Sequence, residues 1–238
     1  MKPNGILQDS GLISRMNAIL YTNNEAVQVF LRRGNHETSL QLLLKALDGF
    51  RALIHENHQM NSQAPQDLSF STVSLEKEDS KLTMDASPSN MFALFPKAFV
   101  IYSKNVHDEG TTAILSVGLM FNIGLAFHLR GLRRPGTSRS DLAEALRYYK
   151  LGLALVQQNT RLCSESNAFY LSSLALLNNA GHIFWHFCRI QEANNCINHM
   201  DTLLQGLNIF NIAEDHAEFF LSNVFFSKSF EINVAAAA

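Results

Sequence analysis

The chain has 238 residues, of which 47% are apolar and only 17% charged, with a formal net charge of −2. That length suits one domain with its own core. The near-neutral balance excludes a basic nucleic-acid arm, a polyacidic tail and a wholly disordered chain, and three cysteines exclude a disulfide-built scaffold.

The opening residues, MKPNGILQDSGLISRM, lack the apolar core of a secretory signal. None of the 21 asparagines begins an N-x-[ST] sequon. A cytoplasmic protein is expected, although a nuclear location also fits. Cys163, Cys188 and Cys196 share no metal-like spacing and read as free buried thiols.

Residues 1–22 read as an N-terminal segment. Residues 23–58 read as a first helix pair. Asn23 and Asn24 can cap its first helix, which carries Ala26, Val27, Phe30 and Leu31 at helical spacing. Gly34-Asn35 ends that helix, and Leu40, Leu43, Leu44, Leu47, Phe50, Leu53 and Ile54 form the stripe of the second. Residues 59–108 read as a mobile insertion rich in Ser, Gln, Asp, Pro and Lys. Two runs associated with it, Leu68–Leu75 and Met91–Tyr102, favour β structure and can form a small hairpin, with Pro96 at an edge or bulge.

Residues 109–207 hold two more helix pairs. Helices are expected from Thr111 to Arg130, from an Asp141 cap through Val156, from Ser166 to Phe187, and from Gln191 to Leu207. Arg130, Arg133, Arg134 and Arg139 surround the loop between the first two. Residues 208–238 form a capping segment with a helix over 213–226, and Ala235–Ala238 read as a frayed tail. Two stretches, Thr111–Leu129 and Ser166–Cys188, carry no formal charge. Asn122, Asn178, Asn179, His182 and His186 interrupt them, so buried helices of a soluble protein fit better than membrane spans.

Three segments share a spacing: a small residue, an aromatic three later, an alanine-like residue, a large residue four on, and a small residue three further. These are Gly181, Phe184, Ala193, Ile197 and Met200; Gly124, Phe127, Ala145, Tyr149 and Gly152; and Val27, Phe30, Ser39, Leu43 and Ala46. The small residue lets helices approach, and the aromatic fills the space beside it. Such pairs bury their apolar faces by stacking. The pattern resembles the tetratricopeptide repeat, most clearly in FNIGLAFHLRG with DLAEALRYYKLGLAL and in NNAGHIFWHF with IQEANNCINHM. The resemblance covers roughly residues 23–50 and 118–207, with irregular spacing between units. It implies an all-α, right-handed array of antiparallel helix pairs, one domain overall.

The resemblance also implies a concave groove lined by the first helix of each pair. Its candidate binding residues are Tyr21, Asn24, Gln28 and Arg32; Asn122, Leu125 and His128; and Asn178, Asn179, His182 and His186. The helical period puts the last four on one face. An asparagine amide both donates and accepts, which suits an extended peptide backbone. The alternative is that Asn122 and Asn179 bond neighbouring helices together. Only Arg32 is basic at the aligned places, so an acidic terminal carboxylate is a poor ligand.

His182 and His186 lack the third ligand a metal needs, and HIFWH lacks the glutamate of a zinc-protease helix. Thr137 and Ser138, beside arginines, are possible phosphorylation sites. There is no phosphate-cradling glycine loop and no G-x-S-x-G elbow. The expected function is therefore non-catalytic, with no cofactor, metal, nucleic acid or membrane. It is a protein-interaction module taking a peptide or partner helix in a concave, largely uncharged groove. A structural subunit acting through its outer faces or the insertion is the alternative, and an enzyme on a helical array a second one.

Overall fold

The computed structural model describes residues 6–33, 35–57, 68–74, 92–103, 109–134, 136, 138–161, 166–206 and 212–236. Seven helices and two strands are described. They are α1 (Ile6–Arg33), α2 (His36–Asn57), β1 (Leu68–Ser74), β2 (Lys97–Ser103), α3 (Glu109–Arg133), α4 (Ser138–Gln158), α5 (Asn167–His186), α6 (Ile190–Gly206) and α7 (Glu214–Ala236). The fold is predominantly helical, as expected. It divides into two compact units: residues 1–75 with 97–148, and residues 76–96 with 149–238.

In the first unit α1 packs on α2, α2 on α3, and β2 lies against α1 and α3. Helix α1 begins at Ile6, far upstream of residue 23. Met16, Ile19 and Leu20 are buried and continue the stripe of Ala26, Val27 and Phe30 at spacings of three and four. Asn23 and Asn24 therefore sit inside a helix rather than capping one. Helix α1 ends at Arg33 and α2 begins at His36, where the Asn35 Oδ1 accepts the Thr38 amide at 3.1 Å; Gly34 lies outside the described residues. Buried Leu40, Leu43, Leu47, Phe50 and Leu53 then face the core. The β1–β2 pair is antiparallel, from Leu68 opposite Ser103 to Ser74 opposite Lys97. Pro96 immediately precedes β2, where its missing N–H costs the ladder nothing. Helix α4 starts at Ser138, so Asp141 lies in its first turn and is not its cap. There it receives the Arg130 guanidinium in a two-pronged contact, at 3.0 and 2.7 Å.

In the second unit α5 packs on α6 and α6 on α7. The Ser166 hydroxyl accepts the Phe169 amide and caps α5 where the sequence indicates. Every residue from Ala168 to Gly181 is buried. The turn into α6 closes through Cys188, whose φ of 57° is left-handed. Its amide reaches the Trp185 carbonyl at 2.9 Å, and the Arg189 amide reaches that of Phe184 at 2.8 Å. Helix α7 runs to Ala236, so half of the terminal alanine run is helical rather than frayed. Among the described residues one stretch, Thr112–Arg133 of α3, is long and apolar enough to cross a membrane, and 94% of its apolar window is buried.

Candidate backbone-recognition site

The groove asparagines have a partner within the chain: the backbone of residues 93–101, which the sequence places in the insertion. In the first unit Asn122 of α3 accepts the Phe99 amide at 2.8 Å and donates to the Phe99 carbonyl at 2.8 Å. Asn24 of α1 treats Ile101 alike, accepting its amide at 3.0 Å and donating to its carbonyl at 2.9 Å. Asn23 joins them. It donates to the Phe99 carbonyl at 3.3 Å and to Asn24 Oδ1 at 3.0 Å, and accepts from Asn122 Nδ2 at 3.0 Å.

The second unit repeats this arrangement bond for bond. Asn223 of α7 accepts the Ala93 amide at 3.2 Å and donates to its carbonyl at 2.8 Å. Asn179 of α5 accepts the Phe95 amide at 2.9 Å and donates to its carbonyl at 3.0 Å. Asn178 plays the part of Asn23, donating to the Ala93 carbonyl at 3.0 Å and to Asn179 Oδ1 at 3.1 Å, and accepting from Asn223 Nδ2 at 2.7 Å. Asn179 Nδ2 also lies 3.3 Å from the Tyr149 hydroxyl, whose burial raises its pKa.

Each clasp is thus an Asn-Asn pair on one helix plus a single asparagine on another. It holds two alternate residues of an extended segment. Successive residues of such a segment point their backbone groups to opposite edges. Phe99 and Ile101 turn theirs to the asparagines, which leaves Ala98, Val100 and Tyr102 to face β1. The amides take the place of a neighbouring strand and close the open edge of β2. Here the extended backbone that these asparagines bond belongs to the chain itself. Asn122–Asn23 and Asn179–Tyr149 also tie helices together.

Side chains of the segment enter apolar sockets. Phe99 is fully buried, with its ring 4.7 Å from that of Phe121. Phe95 stacks on Phe220 at 5.0 Å and meets Phe219 and His216 edge-on at 5.4 and 5.7 Å. A Cβ on Gly181 would lie 3.0 Å from Phe92 Cζ and 3.2 Å from Cys196 Cβ. The small residue there admits both a neighbouring helix and the Phe92 ring. In α1 the corresponding small residue, two positions after the clasping asparagine, is Ala26 and not Val27. The Ser39 hydroxyl of α2 reaches the Ala26 carbonyl at 2.9 Å.

The other candidate residues are distributed differently. Leu125 and His128 are fully buried rather than presented on an open wall. Gln28, Tyr21 and His186 are exposed, and His182 is half-buried. Burial, and secondarily the proximity of His186, lowers the His182 pKa to about 4. The side chain of Arg32 lies outside the described residues, as does Thr137; Ser138 is half-buried at the start of α4. Cys188 is exposed rather than buried, and burial pushes the Cys196 thiol up to about 11. Cys163 lies outside the described residues. The arginine-rich turn is engaged within the first unit. Arg130 also contacts Glu37 at 3.1 Å, and Arg133 lies 2.6 Å from His36 Nε2. Burial first, then Arg133, Arg134 and Arg130, lowers the His36 pKa to about 4. Among the described residues no three His, Cys, Asp or Glu side chains converge as metal ligands.

Sequence reasoning missed Asn223 altogether and took Asn23 for a cap. It also read Met91–Tyr102 only as a hairpin strand. A partial signal was present in the Asn-Asn dipeptide, which occurs within helices at 23–24, 178–179 and 194–195; the third pair lies half-buried and exposed, so the dipeptide marks a clasp only where the helical stripe also turns it inward. Compared with family models, with curated proteins and with solved structures, the chain matches none.

Proposed function

We propose that this chain is a non-catalytic protein-interaction module, built as a divergent tetratricopeptide-like array of helix pairs. Its working parts are helices that read extended polypeptide through asparagine amides. The observation that carries this reading is the pairing of one amide with both the N–H and the C=O of a single residue, four times over. That geometry specifies a peptide backbone and supplies no nucleophile, general base or metal. The partner is a protein or peptide, with no role for nucleic acid, membrane or cofactor, and the setting is cytoplasmic.

The test replaces exposed Gln28 or His186 with a photo-crosslinking amino acid in the full chain, with exposed Arg51 of α2 as control. The expected result is a discrete protein adduct at Gln28 or His186 and none at Arg51. No adduct at either position, or the same adducts from Arg51, would refute the proposal.

A further inference from the structure

Within the second unit, residues Phe92–Phe95 have the form of a bound ligand. Along one edge of the segment, the N–H and C=O of Ala93 are held by Asn223 and those of Phe95 by Asn179, with Asn178 sharing the Ala93 carbonyl. Phe92 and Phe95 are 2% and 1% exposed, whereas Ala93 is exposed and Leu94 half-buried. Phe92 is seated over Gly181 and Phe95 among Phe219, Phe220 and His216. Two rings three apart are read by sockets. The residues between them are read through backbone or not at all.

We infer that this clasp is a recognition site for extended Phe-x-x-Phe segments of partner proteins, and that residues 92–95 occupy it as an internal competitor. The inference rests on the interaction-module reading and names the ligand of one of its sites. Three features define that ligand. It must be extended, because the held amides belong to alternate residues. It must have an N–H at the second and fourth positions, which excludes proline there but not at the fifth, where Pro96 stands. It must be uncharged at both ring positions, because the sockets offer carbon and a histidine of low exposure. A competitor that is part of the same chain acts at a high effective concentration. A partner therefore binds weakly until the internal segment leaves, and removing the two rings opens the site.

The probe is a fluorescein-labelled synthetic peptide of residues 91–97, MFALFPK, added to the purified full chain. The variant Phe92→Ala/Phe95→Ala empties both sockets, and the peptide's own rings can refill them, as small apolar molecules fill engineered cavities. If the variant is folded by circular dichroism, it is expected to bind the probe at least tenfold more tightly than the wild type. A probe N-methylated at the residue equivalent to Phe95, or carrying alanine for both phenylalanines, should lose at least tenfold. A folded variant that fails to bind, or that binds all three probes alike, overturns the inference. If the variant does not fold, hydrogen exchange on the wild type decides. Millimolar probe should strip protection from the Phe95 amide, and unchanged protection overturns the inference. These measurements need no cellular partner, so they fail or succeed separately from crosslinking at Gln28 and His186.

Discussion

Asn122 offers the sharpest test of amide-to-backbone recognition. It is 2% exposed and makes three bonds: to the Phe99 amide, to the Phe99 carbonyl and to Asn23 Oδ1. In Asn122→Ala the carbonyl keeps Asn23 at 3.3 Å, but the Phe99 amide loses its Asn122 acceptor. Three bonds at about 1 kcal/mol net each set the loss near 3 kcal/mol. Against a total stability of about 5–15 kcal/mol this is a large fraction. Asn122→Asp separates hydrogen bonding from packing, because it preserves shape and the acceptor but replaces the donor with a second oxygen. That oxygen faces the Phe99 carbonyl, so the carboxylate is disfavoured in the folded state and its pKa is raised there. A raised folded pKa gives stability that is present below the unfolded value near 3.9 and lost as pH rises through the folded one. Urea titration followed at 222 nm should rank wild type above Asn122→Ala above Asn122→Asp at pH 7. The gap between the two variants should narrow as pH falls toward 4. If Asn122→Asp lies within 1 kcal/mol of wild type at pH 7, the bidentate bond contributes little and the reasoning fails.

Three further outcomes are expected. His36 and His182 titrate near 4 in the folded chain against 6.5 unfolded, so the unfolded chain binds more protons between those values. Wild-type stability should therefore fall as pH drops from 6.5, by at most about 2 kcal/mol at pH 5 for His182 and by less for the more solvent-screened His36, and His182→Gln should flatten the profile in urea titrations. Gly181→Ala puts a methyl 3.0 Å from Phe92 Cζ and 3.2 Å from Cys196 Cβ, and should cost about 1–3 kcal/mol by thermal unfolding. A wild-type-like midpoint would mean that the Phe92 ring can shift away from Gly181. Under native conditions a maleimide should modify exposed Cys188 well before buried Cys196, whose thiol sits near 11; peptide mapping that finds equal rates would contradict the burial of Cys196.

The helices were legible because their apolar stripes are local. The spacing of Leu40, Leu43, Leu47 and Phe50 defines α2, and the Ser166 hydroxyl marks the start of α5. The start of α1 escaped because Asn23-Asn24 mimics a cap in isolation. Only the buried stripe upstream, Met16, Ile19 and Leu20, shows that the helix is already under way. The candidate site was half legible. Asn24, Asn122, Asn178 and Asn179 can be placed on inward helices from periodicity, and the fitness of an amide for backbone follows from its chemistry. Their ligand cannot be found that way, because Ala93 and Asn223 meet across 130 positions of chain and Asn24 meets Ile101 across 77. Nothing local distinguishes a strand bound by asparagines from an ordinary hairpin strand.

The charge deficit takes on a different meaning once these bonds are traced. Read from sequence, the uncharged stretches Thr111–Leu129 and Ser166–Cys188 imply an open groove for uncharged partners. In the structure most of both is buried, and their polar centres, Asn122, Asn178 and Asn179, are spent on the chain's own backbone. A carboxylate at such a centre would repel a carbonyl, and an ammonium would repel an N–H. Only a neutral group with donor and acceptor side by side satisfies both. Asparagine does so with fewer rotatable bonds than glutamine, so less freedom is lost in fixing it. The same requirement acts on the bound segment, which must offer an N–H at every clasped position. Ala93, Phe95, Phe99 and Ile101 all do, and the one proline, Pro96, falls on the opposite parity. Proline at 95 or 99 should therefore release its clasp, whereas an apolar exchange at half-buried Leu94, whose backbone points to the other edge, should leave both clasps intact.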